Sequence, residues 1–390
     1  MAICVCWQKS NKILMEHDII EVLNMMVDIS STILEKMEEG IFIIAEAGKN
    51  FIQTKEERPV AEYLENAKAL VRAAKAAGAD ALKFQTHNVE DEQLNLHIVS
   101  PHFQGADRYS WVSRNERSTP LEAFWKPLKQ YCDEVGIIFF STPMSRGAAQ
   151  KLAPLNQQLW KIGSGDVQDF VCLDYVCAQG KTVIISTGMV SLQELESVVD
   201  FITKRNQQLV ILYCISKYPC LPEEFNLGTI EYLKERYPMC IIGFSDHSIG
   251  FEVDLAAIKL GVKVIEKHFS FDRGLWGADH KVSMTPDETR KMVQAIRSGN
   301  WRDVDTAKFY GGKSKELEGA GNQFRPYFKK ALMAGQDIPA GTMLTPKMIY
   351  AMRPQMYAGG LPSEEYERVV GKKLKRALAK YDPIRSDIIE

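Results

Sequence analysis

Eight short apolar runs recur along this chain, and each ends in a tight cluster of polar residues. Ile41–Ala45 ends at Glu46, Asp80–Phe84 carries Lys83 and ends at Gln85, and Ile137–Phe140 ends at Ser141-Thr142-Pro143. Leu159–Gly163 holds Lys161 and ends at Ser164-Gly165-Asp166, while Thr182–Ile185 ends at Ser186-Thr187-Gly188. Leu209–Ile215 ends at Ser216-Lys217-Tyr218, Cys240–Phe244 at Ser245-Asp246-His247, and Val262–Ile265 at Glu266-Lys267-His268. Stretches of helical length separate the runs. A strand, polar tip and helix repeated eight times predict an α/β fold, a (β/α)8 TIM barrel, with the tips converging on one rim. Runs such as Phe42-Ile43-Ile44 do not alternate, as parallel strands covered on both faces require.

The barrel is expected over residues 41–297. Residues 298–324 turn rich in Gly, Lys and acidic residues and read as a linker. Residues 325–390 read as short strands joined by turns, a unit too small to bury much core alone, which must dock on something. Residues 1–40 read as an N-terminal extension, either an added helix or a segment dispensable to function. The net charge of −2 offers no nucleic-acid surface or polybasic membrane patch. There is no run of about 20 apolar residues and no secretory leader pattern. The eight cysteines form no CxxC pair, so a cytoplasmic protein without disulfides is expected. The long insertion from Thr86 to Thr119 reads as a functional lid, with His87, His97 and His102 as surface residues.

The rim carries the chemistry. His247 and His268 end consecutive strands, so their imidazoles would be neighbours able to hold a borderline divalent ion such as Mn2+, Zn2+ or Co2+. Asp279 and His280 follow the last strand and would orient a ligand or a bound water. Lys83, Lys161 and Lys267 at strand ends imply a multiply charged anion. Ser164, Ser186 and Ser216, with glycines beside them, offer hydroxyls and backbone N–H groups to phosphate oxygens. Glu46, Asp166, Asp246 and Asp279 are the available carboxylates, either general bases or partners of the lysines. Tyr218 offers a phenol to a sugar hydroxyl.

In order, Glu46-Ala47-Gly48-Lys49-Asn50, Lys83-Phe84-Gln85, Ser141-Thr142-Pro143, Lys161–Asp166 and Ser186-Thr187-Gly188-Met189 resemble the sialic acid synthases. So do Cys214–Pro219, Phe244–His247, Glu266–Phe269 and Gly277–His280, and the tail resembles their antifreeze-like SAF module. The resemblance implies condensation of phosphoenolpyruvate with an N-acylated hexosamine such as N-acetylmannosamine, giving a nonulosonic acid and phosphate with C–O cleavage. It implies His247 and His268 as metal ligands, for Mn2+ or else Mg2+ or Co2+. Lys83, Lys161, Ser164, Ser186 and Ser216 would bind phosphoenolpyruvate. Glu46, Asp166 and Asp279 would be catalytic, and Gln85, Tyr218 and Lys330 would meet the sugar. Lys330 stands where an arginine of the module normally reaches the acyl group, with Arg325 nearby, and Asp166 stands where Glu is usual. The family's module caps the partner's barrel in a domain-swapped homodimer. The sugar stays open among N-acetylmannosamine, its 6-phosphate and a dideoxy-diamino hexose. Another phosphoenolpyruvate-dependent 3-deoxy-ulosonate aldol synthase, a metal-dependent hydrolase and a non-catalytic sugar-binding protein are the rival readings.

Overall fold

Each of the eight apolar runs becomes one parallel strand of a single sheet. The computed structural model describes residues 33–99, 107–206, 208–317 and 321–390, the side chains of 321–323 excepted. The strands are β1 (Phe42–Gly48), β2 (Ala81–Thr86), β3 (Ile138–Pro143), β4 (Leu159–Ile162), β5 (Thr182–Ser186), β6 (Leu209–Cys214), β7 (Ile241–Asp246) and β8 (Val264–His268). Their hydrogen-bonded order is β3-β2-β1-β8-β7-β6-β5-β4. Pairing of β1 with β8 carries the ladder round, and β3 and β4 are its two ends, lying side by side. At this seam the buried Gln157 acts as a strand would. Its amide accepts from the Ser141 N–H (3.0 Å) and donates to the Ser141 carbonyl (3.2 Å).

Side-chain parity sorts each strand. Ile43, Ala45, Val183, Ile185, Ile211 and Ile265 point outward into the large core shared with the helices. Phe42, Ile44, Ile184, Val210, Leu212 and Val264 fill the barrel's lower interior. Above this apolar floor the same inward parity delivers Glu46, Lys83, Lys161, Ser186, Glu266 and His268. Below it, a helix over residues 33–39 presses Ile33 and Met37 into the inner cluster. This part of the extension is helical and plugs the barrel; residues 1–32 lie outside those described.

The surrounding helices begin with local caps. Helix Leu192–Thr203 starts in a capping box, where Ser191 Oγ accepts the Glu194 N–H and Glu194 Oε2 accepts the Ser191 N–H (2.9 Å). Among the described residues no helix is long and apolar enough to cross a membrane.

The C-terminal unit pairs β9 (Ala331–Ala334) with β10 (Ile349–Met352) antiparallel, with isolated bridges such as Ile338↔Leu378 completing a small β-rich body. It docks over the loops that follow β2, β3 and β4. Arg353 N–H donates to the Glu92 carbonyl and Leu94 N–H to the Arg353 carbonyl, both at 3.0 Å. Arg146 donates to the carbonyls of Pro346 (2.5 Å) and Ile349 (2.8 Å), and Phe170 N–H to Ser363 Oγ (3.0 Å). Arg325 and Lys329 hold Glu194, so one carboxylate both caps a barrel helix and anchors the unit.

Candidate active site

The rim residues enclose a cavity of about 910 Å³ that opens to solvent. It is lined by Glu46, Lys83, Gln85, Lys161, Ser164, Asp166, Ser186, Ser216, Tyr218, His247, His268 and Asp279. Of the residues singled out from the sequence as catalytic or binding groups, Asp246, Lys267, His280 and Lys330 are missing from this wall.

At its base lies a buried charge network. Register sets Glu46 opposite both Lys83 and His268. Lys83 Nζ is 2.6 Å from Glu46 Oε2 and 3.6 Å from Glu266 Oε2, and Lys161 Nζ is 3.1 Å from Glu266 Oε1. Ser245 Oγ also donates to Glu266 (3.1 Å), and Gln85 Nε2 to Glu46 (2.8 Å). Burial works to raise the Glu266 carboxyl, but the ammonium groups of Lys161 and Lys83 outweigh it and hold the group at about 2. For Glu46 burial wins over Lys83, and Glu266 beside it adds to the rise. The same base therefore holds one firmly ionised carboxylate and one that takes up a proton more readily than an ordinary glutamate. Burial pushes Lys161 down. Lys83, flanked by Glu266 and Glu46, is raised in spite of burial.

Lys267 does not join them. Between the inward Glu266 and His268 it points outward, held by Asp246, by Ser248 Oγ (3.2 Å) and by Asp254 (3.4 Å). The expectation of three lysines facing one cavity is corrected to two on these strands, and Asp246 is Lys267's structural partner.

The two imidazoles lie together, with ring centroids 5.3 Å apart. Tyr218 stacks on His247 at 4.0 Å. His247 Nδ1 sits 2.8 Å from the Ile215 carbonyl, which makes Nδ1 the donor and leaves Nε2 with its lone pair. Burial holds His268 at about 3, so it stays neutral, and among the described residues its buried Nδ1 has no hydrogen-bond partner. Burial works to lower His247, but Cys214 and the Ile215 carbonyl outweigh it and raise the group, so His268 rests neutral and His247 offers its Nε2 lone pair to a divalent ion once that nitrogen carries no proton. Among the described residues no cluster of three or more metal-ligating side chains accompanies them.

Across the mouth, Ser164, Ser186 and Ser216 form a cradle with Lys161. Ser186 Oγ and Ser216 Oγ are buried and make no hydrogen bond among the described residues, and Ser164 Oγ accepts the Gly188 N–H (3.0 Å). A Cβ on Gly188 would strike Ser216 Oγ and come within 3.1 Å of Cys214 Sγ, so only glycine keeps this hollow open. Buried hydroxyls on a wall that Lys161 also lines suit the oxygens of an anion.

The outer wall holds residues the sequence reading missed. His87, expected at the surface, is buried; its Nδ1 lies 2.8 Å from Glu92 Oε2, and its Nε2 lies 3.5 Å from Lys49 Nζ. His97 is exposed, and His102 lies outside the described residues. Arg108 Nη2 is 3.6 Å from Glu92 Oε1, and its guanidinium stacks 4.4 Å from the Phe328 ring. Phe328 comes from the C-terminal unit, seated where a Cβ on Gly165 would collide with it.

Lys330 is engaged behind the wall, by Asp169 Oδ2 (2.6 Å), Asp166 Oδ1 (2.9 Å) and the Met144 carbonyl (2.6 Å). The arginine that reaches the rim from the unit is Arg353. It is fully buried and bonded to Asp166, and among the described residues its Nε and Nη1 have no hydrogen-bond partner. Asp166 thus sits between two cations of the cap. The signal for Arg353 was its place in Met352-Arg353-Pro354 at the end of an apolar strand.

Fold and site together define a (β/α)8 enzyme with a capped, cation-lined cavity at the C-terminal mouth of its barrel. The chain belongs to the NeuB family, whose model matches residues 70–303, and it carries a SAF domain over residues 329–390. It is 31% identical over 353 residues to the N-acetylneuraminate-9-phosphate synthase of Homo sapiens, covering 90% of this chain and 92% of that protein. It is 30% identical over 346 residues to the N,N'-diacetyllegionaminic acid synthase of Legionella pneumophila, covering 87% and 91%. The crystal structure of the spore coat polysaccharide biosynthesis protein SpsE of Bacillus subtilis aligns with a TM-score of 0.71 at 30% identity, covering 90% of this chain and 95% of that one. The resemblance to sialic acid synthases is therefore one of membership, and the expected barrel followed by a SAF module is the architecture found.

Proposed function

We propose that this enzyme condenses phosphoenolpyruvate with an N-acylated amino-sugar aldose and water, giving a nine-carbon 2-keto-3-deoxy acid and phosphate. The observation that carries this reading is the cradle of Lys161, Ser164, Ser186 and Ser216 facing two converging imidazoles in one cavity. Lys161 and the three hydroxyls hold the phosphorylated acid, and Gly188 leaves room for its oxygens. Lys83, tied to Glu46 and Glu266, keeps the base of the site positive at the carboxylate end. C3 of the enol acid bonds to the aldehyde carbon, water adds at C2, and the C2–O bond breaks to release phosphate. His247 and His268 would hold a divalent ion (Mn2+, or Co2+ or Mg2+ in its place), whose chemistry when bound is to polarise the aldehyde oxygen. Glu46, its carboxyl raised by burial, is placed to hold the proton that the reacting water gives up. Glu46, Gln85 and Asp279 gather around Gly48, the wall against which that water would sit. Tyr218, whose phenol burial keeps protonated, donates to a sugar hydroxyl.

The SAF unit closes the mouth, and its contacts with the β2–β4 loops, exchanged between two chains, would give a swapped homodimer. The test is phosphate release from phosphoenolpyruvate with Mn2+ and acylated hexoses, free and phosphorylated. Release only with an unacylated aldose phosphate would favour a 3-deoxy-ulosonate synthase of the octulosonate type. No release with any sugar would leave a binding role.

A further inference from the structure

Lys49 is the one cavity-lining ammonium group with no assigned task. It follows β1, is half-buried, and among the described residues has no carboxylate within ion-pair distance. Its aim is nevertheless fixed. Glu92, held ionised at about 2, accepts a hydrogen bond from His87 Nδ1–H, which leaves Nε2 as the acceptor facing Lys49 Nζ at 3.5 Å. Burial keeps His87 neutral, so the imidazole orients the ammonium without neutralising it. Arg108 lines the same wall, steered by Glu92 and by the Phe328 ring. Beside Lys49, a side pocket of about 350 Å³ is walled by Trp111 and Trp276, whose rings lie 5.2 Å apart.

Topology separates this wall from the oxyanion cradle. Ser186 ends β5, and Lys49 follows β1, four strands away in either direction round the barrel. The phosphorylated enol acid on the β4–β6 side therefore leaves Lys49 unmatched. Between the two sides lie the imidazoles at the ends of β7 and β8, where the aldehyde would react. A sugar chain running from there toward β1 and β2 ends at Lys49 and Arg108.

We infer that the sugar co-substrate carries an anionic group, a phosphate monoester or a carboxylate, at the end remote from its aldehyde, and that Lys49 and Arg108 bind it. The inference rests on the condensation proposed above and adds the charge of its second substrate. Burial lowers Lys49 and the carboxylates of Asp279, Glu92 and Glu46 only partly offset it, so a half-buried ammonium aimed into the cavity gains from an anion that arrives with the substrate.

The experiment compares kcat/KM for N-acetylmannosamine, its 6-phosphate and its 6-carboxylate analogue, following phosphoenolpyruvate consumption with Mn2+ present. The inference expects an anionic sugar to be preferred by about tenfold or more. Lys49→Met should erase most of that preference, and Lys49→Arg should keep it. Preference for the phosphate over the carboxylate names a monoester, and the reverse names a uronic-type sugar. Efficient use of the neutral sugar alone, or an unchanged preference in Lys49→Met, overturns the inference while the condensation stands. No consumption with any of the three overturns both.

Discussion

Glu266→Gln tests the charge network at the base of the cavity. The substitution keeps shape and the Ser245 contact but removes the charge shared by Lys161 and Lys83. Lys83 retains Glu46 at 2.6 Å, whereas Lys161 loses its carboxylate partner. Glu266 stands at about 2 against an ordinary 4.5. At about 1.4 kcal/mol per pH unit, that depression is worth about 3 kcal/mol of stability at pH 7. With an unfolding entropy of about 2 cal/mol/K per residue, a chain of this length should lose about 4 °C in Tm. The sign follows from the direction of the shift. A depressed carboxylate stabilises fully above its unfolded value and loses that contribution as pH falls toward 2. Thermal scans by circular dichroism should therefore show the full gap between wild type and variant at pH 7, narrowing below about pH 4.5. Lys161, already pushed down by burial, should also release its proton more readily, so phosphoenolpyruvate binding should weaken further as pH rises. A Tm within 1 °C of wild type at pH 7, or a gap that widens on acidification, would refute the network as described.

Four further outcomes are expected. Ser186→Ala removes a buried hydroxyl that has no partner among the described residues, so stability should stay within about 0.5 kcal/mol or rise, while KM for phosphoenolpyruvate rises about tenfold; an unchanged KM would remove Ser186 from the cradle. His268→Ala should weaken Mn2+ binding by about a hundredfold in calorimetric titration with the far-ultraviolet spectrum intact, and wild-type affinity would remove it as a ligand. Arg353→Met strands Asp166 with Lys330 alone and should cost about 3 kcal/mol at the cap; proteolysis of residues 325–390 no faster than in wild type would contradict this. Met37→Ala empties a fully buried position beneath the barrel and should lower stability by about 2–4 kcal/mol in urea, and an unmoved midpoint would show that the 33–39 helix does not support the floor.

The barrel was legible because periodic apolar runs and polar tips are local signals, and the strands fall on them within a few residues. That the tip residues share one mouth was legible for the same reason: Glu46, Lys83, Lys161, Ser186, His247 and His268 stand at or just past strand ends and line one cavity. Parity was not legible. A continuous apolar run does not reveal which face looks inward, so Lys267 was put in the cavity and Glu266 was passed over. His87 was misplaced because a long loop reads as exposed, and only packing with Glu92, Arg108 and the SAF unit gives it an interior. Lys330 and Arg353 depended on how the unit docks, through contacts between residues 161 and 187 positions apart. No periodicity in the chain encodes that arrangement.

The alternation on β8 bears on how the barrel assembles. In the native alignment Glu266 and His268 face the axis, while Lys267 meets Asp246 and Asp254 outside it. Sliding this stave by a single position would thrust an ammonium into the axis, throw an imidazole out among the helices and strand two acidic groups without their cation. The strand that builds the reactive mouth thereby proofreads its own placement, because the misaligned chain pays for several orphaned charges at once.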